Sequence, residues 1–294
     1  MAKHQGAAEP GSEQSVARLA RSAVAPLLAA QDVGLAAPRK LAGTLWAFAR
    51  LLLPDTPLLT AIASASLRSI ASFDHQRLSN TAWSVAPLAF RDPPLLAAIS
   101  TAALPRIAEF VAQDLGNTAW ALAKLPVLHR PLLQAIAAAA ISRIGELNPQ
   151  NLTNTSWSFS ALTFPHTPLL DAIAAAARRP LRDWSAQNLA NTAWSYAPMQ
   201  LPDCPLFDAI SSAAIPTMPH FGTQGLSNTA WAFATLGLCH GPLMPAIAAA
   251  SIRKIAQHHE CRPQEVATLA WSFSTLEEPH LPLFKALAAA ASAR

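Results

Sequence analysis

The chain has little of what most often carries chemistry or spans lipid. Its 294 residues include only 13% charged side chains, 10 glycines and three cysteines. So few glycines leave no Walker, Rossmann or nucleophile-elbow pattern, and no catalytic constellation of another kind is present, so an enzyme is not expected. Cys204, Cys239 and Cys261 are an odd number without a CxxC spacing. That argues against a disulfide framework and for a reducing compartment. No apolar run reaches the roughly 18 uncharged residues a membrane span requires, because proline and polar residues interrupt every stretch. The sequence calls for no cofactor, metal, membrane or small-molecule substrate.

What is abundant is repetition. QNLANTAW (187 to 194) recurs as QRLSNTAW (76 to 83), QDLGNTAW (113 to 120), QNLTNTSW (150 to 157) and QGLSNTAW (224 to 231), with frayed copies RKLAGTLW (39 to 46) and QEVATLAW (264 to 271). Trp46, Trp83, Trp120, Trp157, Trp194 and Trp231 are 37 residues apart, and Trp271 follows after 40. A fixed period of this size marks a stacked array of supersecondary units. The expectation is an all-α fold, an α-solenoid of seven helix-turn-helix repeats over residues 35–294. The net charge of +4 and pI near 9.3 are compatible with a polyanionic partner without demanding one. Residues 1–34, with Lys3, Arg18 and Arg21 in an Ala-rich stretch, read either as an organelle transit peptide or as a helix that caps the array.

We number each unit from its tryptophan as position zero. Asp74, Asn148 and Ser185 at −9 are good N-cap types, and Pro38, Pro149 and Pro263 at −8 suit a first helical turn. A first helix, A, therefore runs from there to the leucine at +5. Its apolar arc holds −5, −2, −1, +2 (Phe48, Val85, Leu122, Phe159, Tyr196, Phe233, Phe273) and +5; the opposite arc holds −7, −6, −3, +1 and +4, with the tryptophan on the border. A second helix, B, opens on Pro57, Pro94, Pro131, Pro168, Pro205, Pro242 or Pro282, with Thr56 and Thr167 as caps. It continues to Phe73, Phe110, Leu147, Trp184 or Phe221 as an apolar closing residue, so Trp184 belongs to a core series.

The pattern NTAWAFAxL followed by PLLxAIAxAAxxRIxEF resembles the 37 to 38 residue helical repeats of the octotricopeptide and heptatricopeptide families of organellar RNA-binding proteins, with a wider similarity to FAST kinase-like and RAP-domain proteins. The resemblance covers residues 39–294. It implies single-stranded RNA binding in a mitochondrion or chloroplast, with a role in RNA processing, stability or translation and other RNA-processing proteins as partners. The nuclease-like RAP domain often found in that group has no counterpart in these residues, so the resemblance implies no catalysis.

Position −6 reads Lys40, Arg77, Asp114, Asn151, Asn188, Gly225 and Glu265, varying while its neighbours stay constant. A modular reader of single-stranded RNA needs a constant scaffold with one or two variable side chains per base; a solvated position free to drift would look the same. Asn80, Asn117, Asn154, Asn191 and Asn228 at −3 are identical and cannot distinguish bases. They serve either as hydrogen-bonding links between repeats or as a uniform backbone or ribose contact. The tryptophans are either core or stacking platforms for bases. Arg50 and Lys124 at +4, with Lys40 and Arg77, gather cations on the first three A helices, where RNA is expected to bind most firmly. A second basic row (Arg68, Arg106, Arg143, Arg179, Lys254, Arg294) lies late in the B helices, suited to phosphates or simply to the helix dipole. The loop histidines His129, His166, His240 and His280 are too far apart to share a metal. The rival to an RNA reader is an α-solenoid scaffold that holds a protein partner on the same surface.

Overall fold

The computed structural model describes Ser22 and residues 36–178, 181–258 and 261–292. The rest of the 1–34 extension, Arg179 and Arg294 of the basic row, and His259 and Glu260, which fall in the stretch where the tryptophan spacing lengthens from 37 to 40, lie outside these residues. Among the described residues the chain is all-α, with fourteen α-helices and no strand.

The helices that carry the tryptophan motif are α1 (Ala36–Leu51), α3 (His75–Val85), α5 (Ala112–Lys124), α7 (Pro149–Ala161), α9 (Ala186–Tyr196), α11 (Thr223–Thr235) and α13 (Pro263–Thr275). Alternating with these A helices are the B helices α2 (Thr56–Ser69), α4 (Pro93–Ala103), α6 (Arg130–Ser142), α8 (Thr167–Ala177), α10 (Cys204–Thr217), α12 (Leu243–His258) and α14 (Leu281–Ser292). The chain forms two compact units, Met1–Ala139 and Ala140–Arg294. Within the first, α1 packs on α3 and α3 on α5, while α2 packs on α4; within the second, α7, α9, α11 and α13 follow one another, as do α8, α10, α12 and α14.

The apolar arc faces inward as its spacing predicts. Leu41, Leu78, Leu115, Leu152, Leu189 and Leu226 at −5 are buried, and so is the whole +2 column from Phe48 to Phe273. The one tyrosine of that column, Tyr196, donates its hydroxyl to the Leu170 carbonyl oxygen at 2.7 Å, tying α9 to α8. Burial, reinforced by Asp203 and Asp171, pushes that phenol far above its ordinary range, so it stays a donor at any physiological pH. The B helices close through a turn of 3-10 helix (Ile70–Ser72, Leu104–Glu109, Ile144–Glu146, Leu181–Asp183, Met218–His220). The residues that follow, Phe73, Phe110, Leu147, Trp184 and Phe221, are buried as the core series requires.

Helix starts obey the capping rule with one correction. Asp74, Asn148 and Ser185 accept from the backbone N–H three residues on, as expected. The B helices, however, are not capped by Thr56 and Thr167, which lie inside them; Asp55 and His166 one residue earlier take that place. Asp92 and Asp203 do the same, and His129 and His280 accept through Nδ1 at 3.2 Å. His129, His166 and His280 thus substitute for aspartate as caps, whereas His240 Nδ1 accepts no hydrogen bond among the described residues; a ring nitrogen that accepts carries no proton, so in the three caps the proton sits on Nε2.

The A helices end in a way their sequence conceals. At +6 the backbone turns to positive φ at Leu52, Ala89, Thr163, Gln200 and Glu277 (φ 48° to 55°), at Gly237 (φ 64°) and, less far, at Pro126 (φ 21°). The next N–H then bonds five residues back, for example Phe90 to Val85 at 3.0 Å and Leu238 to Phe233 at 2.9 Å. This is a Schellman closure, normally built on glycine, and a non-glycine residue there costs about 1 kcal/mol. Replacing Gly237 by Ala is therefore expected to destabilise by about 1 kcal/mol, and Gln200→Gly to stabilise by about 0.5 kcal/mol after the added unfolded-state entropy is subtracted. Thermal and denaturant midpoints of the two variants, moving in opposite directions, check this.

Candidate nucleic-acid interface

The solvent-facing stripe of each A helix is set by steps of four, three and four residues, which return to one side of a 3.6-residue helix. It holds −7, −3, 0 and +4. Gln76, Gln113, Gln150, Gln187, Gln224 and Gln264 at −7 are exposed, the five asparagines at −3 are half-buried, and Trp83, Trp120, Trp157, Trp194 and Trp231 are half-buried beside them. Trp46 and Trp271 are each 47% exposed. The tryptophans are therefore a border row, not core.

Among the described residues, the side-chain amides of Asn80, Asn117, Asn154, Asn191 and Asn228, and of the −7 glutamines, form no hydrogen bond with the protein. Their backbone carbonyls are engaged, as where Ser84 Oγ donates to Asn80 O and Ser195 Oγ to Asn191 O, both at 2.6 Å. The fold makes no use of the amides, so the expectation that they link neighbouring repeats is not met within either unit. Between α11 and α13 the stripe deepens into a polar groove of about 90 Å³, lined by Gln224, Asn228, Arg262, Gln264 and Thr268 among others.

Position −6 departs from the expectation of a solvent-facing row. Asp114, Asn151 and Glu265 are buried, with 4%, 5% and 5% of their surface exposed. Each reaches back to the first backbone N–H of its own helix: Asp114 Oδ2 accepts from Val111 at 3.3 Å, Asn151 Oδ1 from Asn148 at 3.3 Å, and Glu265 Oε2 from Arg262 at 3.0 Å. Asp114 also meets His75 Nδ1 of the preceding A helix at 2.7 Å. These three are capping-box side chains. Of the other members, Lys40 is exposed and Asn188 half-buried. Arg77 is half-buried and pairs with Asp74 of its own cap at 2.6 Å. The pair Arg262 and Glu265 repeats that link with the charges exchanged, at 2.9 Å.

Arg50 is exposed with its guanidinium 5.6 Å from the Trp46 ring centre, and Lys124 is exposed at the end of α5. Both lie on the stripe. In the second unit the same +4 position holds Ala161, Pro198, Thr235 and Thr275, so the cations of the row belong to the first unit. Arg106 of the B-helix row is bound otherwise: it donates to the Phe73 carbonyl at 2.7 Å, closing the preceding turn.

The stripe residues that the variable-position argument passed over are the glutamines and tryptophans. The signal that finds them is the −7, −3, 0, +4 spacing, which was readable without coordinates. No family model matches the chain, and no curated protein matches it.

If the buried −6 side chains act as caps, Asp114→Ala and Glu265→Ala will each lower stability by about 1–2 kcal/mol, since a cap and a second polar contact are lost together. Chemical denaturation of both variants beside Lys40→Ala, for which a change within 0.5 kcal/mol is expected at an exposed site, makes the comparison.

Proposed function

We propose that this protein is a single-stranded RNA-binding α-solenoid of seven helical hairpins that holds its ligand along the exposed stripe of the A helices. The observation that carries this reading is the ladder of glutamine and asparagine amides for which the fold has no use. Each offers two donors and an acceptor, repeated on the five A helices from α3 to α11, beside an indole that can stack on a base. Together they supply hydrogen bonding and stacking, while Lys40, Arg50 and Lys124 supply phosphate contacts at one end. The resemblance to organellar repeat families supports action in a mitochondrion or chloroplast, on RNA processing, stability or translation.

Because Asp114, Asn151 and Glu265 are engaged as caps, base-edge contacts fall to the −3 and −7 amides, with Asn188 and Lys40 the variable positions best placed to add discrimination. A row of constant amides suits ribose, backbone and every base alike, which points to a ligand held with modest sequence preference. The rival is a protein-interaction scaffold. It draws support from the uncharged +4 column of the second unit, where no cation would favour a phosphate chain.

Filter binding of labelled oligoribonucleotides across a range of salt concentrations tests the proposal. Micromolar or tighter binding is expected, with the logarithm of affinity falling linearly against that of salt. Each phosphate contact removed reduces the slope by about 0.7 for a single strand. Lys40→Ala and Lys124→Ala are each expected to remove about one contact, and Arg77→Ala less than one because Asp74 already partly neutralises it. Absence of binding to any oligoribonucleotide, with a protein partner recovered instead, would favour the scaffold.

A further inference from the structure

We infer that the gaps between Trp83 and Trp120 in the first unit, and between Trp157 and Trp194 and between Trp194 and Trp231 in the second, form base slots that each admit one nucleobase of a single strand; this rests on the RNA reading above. The spacing of the rings carries the inference. In the first unit the Trp83 and Trp120 ring centres are 6.3 Å apart with planes inclined by 32°. In the second, Trp157 and Trp194 are 6.5 Å apart at 33°, and Trp194 and Trp231 6.2 Å apart at 30°. Stacked bases repeat about every 3.4 Å, so a base sandwiched between two rings needs about twice that distance. The ring centres fall short of it by roughly half an ångström with planes inclined by 30° to 33°, so a base enters when the rings turn toward parallel and part slightly.

The slot opens at small cost. Aromatic pairs attract at centre separations of about 4.5–7 Å, and these pairs stand near the far end of that range, so little ring–ring attraction is lost when a base enters. The core does not depend on the indoles, because the +2 residues behind them, such as Phe159, Tyr196 and Phe233, are already fully buried. One turn before Trp83, Trp120, Trp157, Trp194 and Trp231, on the same helix, stands an asparagine whose amide no protein group engages among the described residues. It can meet the edge of the inserted base. An alternating stack of indole and base then advances one nucleotide per hairpin within each unit, and its stacking part is tolerant of sequence because every base has a π-face.

The test uses the full chain with two probes of equal length: an oligouridylate and an oligomer of abasic ribose phosphate. Binding is followed by anisotropy of an end label, and indole fluorescence is followed in parallel. The slots require the oligouridylate to quench tryptophan emission and to bind at least ten-fold more tightly than the abasic strand. Trp194 borders two slots, so Trp194→Ala is expected to lose about ten-fold in oligouridylate affinity with little change in abasic affinity, and Trp194→Phe to keep most of it. Circular dichroism melting verifies the fold of each variant, and should the alanine variant melt early, the phenylalanine variant and the abasic comparison still decide. Equal binding of the two probes without quenching would overturn the slots while leaving RNA binding intact, since the strand would then be held by phosphates alone. Failure of both probes to bind would remove the RNA reading and the slots together.

Discussion

The spacing of everything on the exposed stripe depends on how closely one A helix can approach the next. On the first six A helices position −4 holds Ala42, Ser79, Gly116, Thr153, Ala190 and Ser227, all buried and all small; Ala267 of the seventh is small but exposed. Such residues bring helix axes toward the short end of the usual ~8–10 Å separation. The contacts across this seam are short and partly polar: within the second unit Thr153 Oγ1 and Thr192 Oγ1 are 3.1 Å apart, and Ser156 Oγ and Ser195 Oγ 3.4 Å. In the first, Ser79 Oγ donates to the Asp114 carbonyl at 3.3 Å. Larger residues at −4 would push the helices apart and carry the indoles with them. The seam therefore links a constraint on core packing to the geometry of the surface, and the repetition of small residues is a condition for a regular row of side chains outside.

Much of this architecture was legible in the sequence, for physical reasons that can be named. Helix periodicity located the apolar arc, because the hydrophobic effect enforces burial of +2 in every copy and of −5 in the first six, Val266 of the seventh being half-buried. Two things were not legible. The left-handed residue at +6 is glycine only at Gly237, and its other occupants (Leu52, Ala89, Thr163, Gln200 and Glu277 near 50°, and Pro126 at 21°) carry no sequence mark of their conformation. There the closing hydrogen bonds and the packing of the following apolar residue override local preference. The caps of the B helices were placed one residue late because threonine before proline looks like a cap, whereas the aspartate or histidine before it has the longer reach.

The variability at −6 shows how a pattern can be real and its first interpretation misdirected. Read against −9, its changes make pairs: Asp74 with Arg77, Val111 with Asp114, Asn148 with Asn151, Arg262 with Glu265. Each pair closes the first turn of its helix by a different chemistry. A column that varies because its capping partner varies looks, in a single sequence, like a column that varies to read different ligands. Burial separates the two cases, and three of these side chains are buried. The constant columns at −7, −3 and 0 carry the opposite signature, being unchanging, at least partly exposed and, for the amides, without protein partners.

On the proposed RNA reading, the two kinds of candidate contact are also unevenly distributed between the units. Lys40, Arg50 and Lys124 lie on A helices of the first unit, while half-buried tryptophans and unengaged amides occur in both units. Phosphate contacts weaken as salt rises because bound counterions are no longer released to advantage. Stacking and amide hydrogen bonds involve no net charge and are far less sensitive. If RNA is the ligand, as proposed, the cations would govern how fast and how firmly the first unit captures a strand, and the neutral rows would govern how it lies along the A helices of each unit. A strand that loses its cationic anchor in high salt would still find the second unit's indoles and amides unchanged, so the binding that survives screening reports on the neutral rows by themselves.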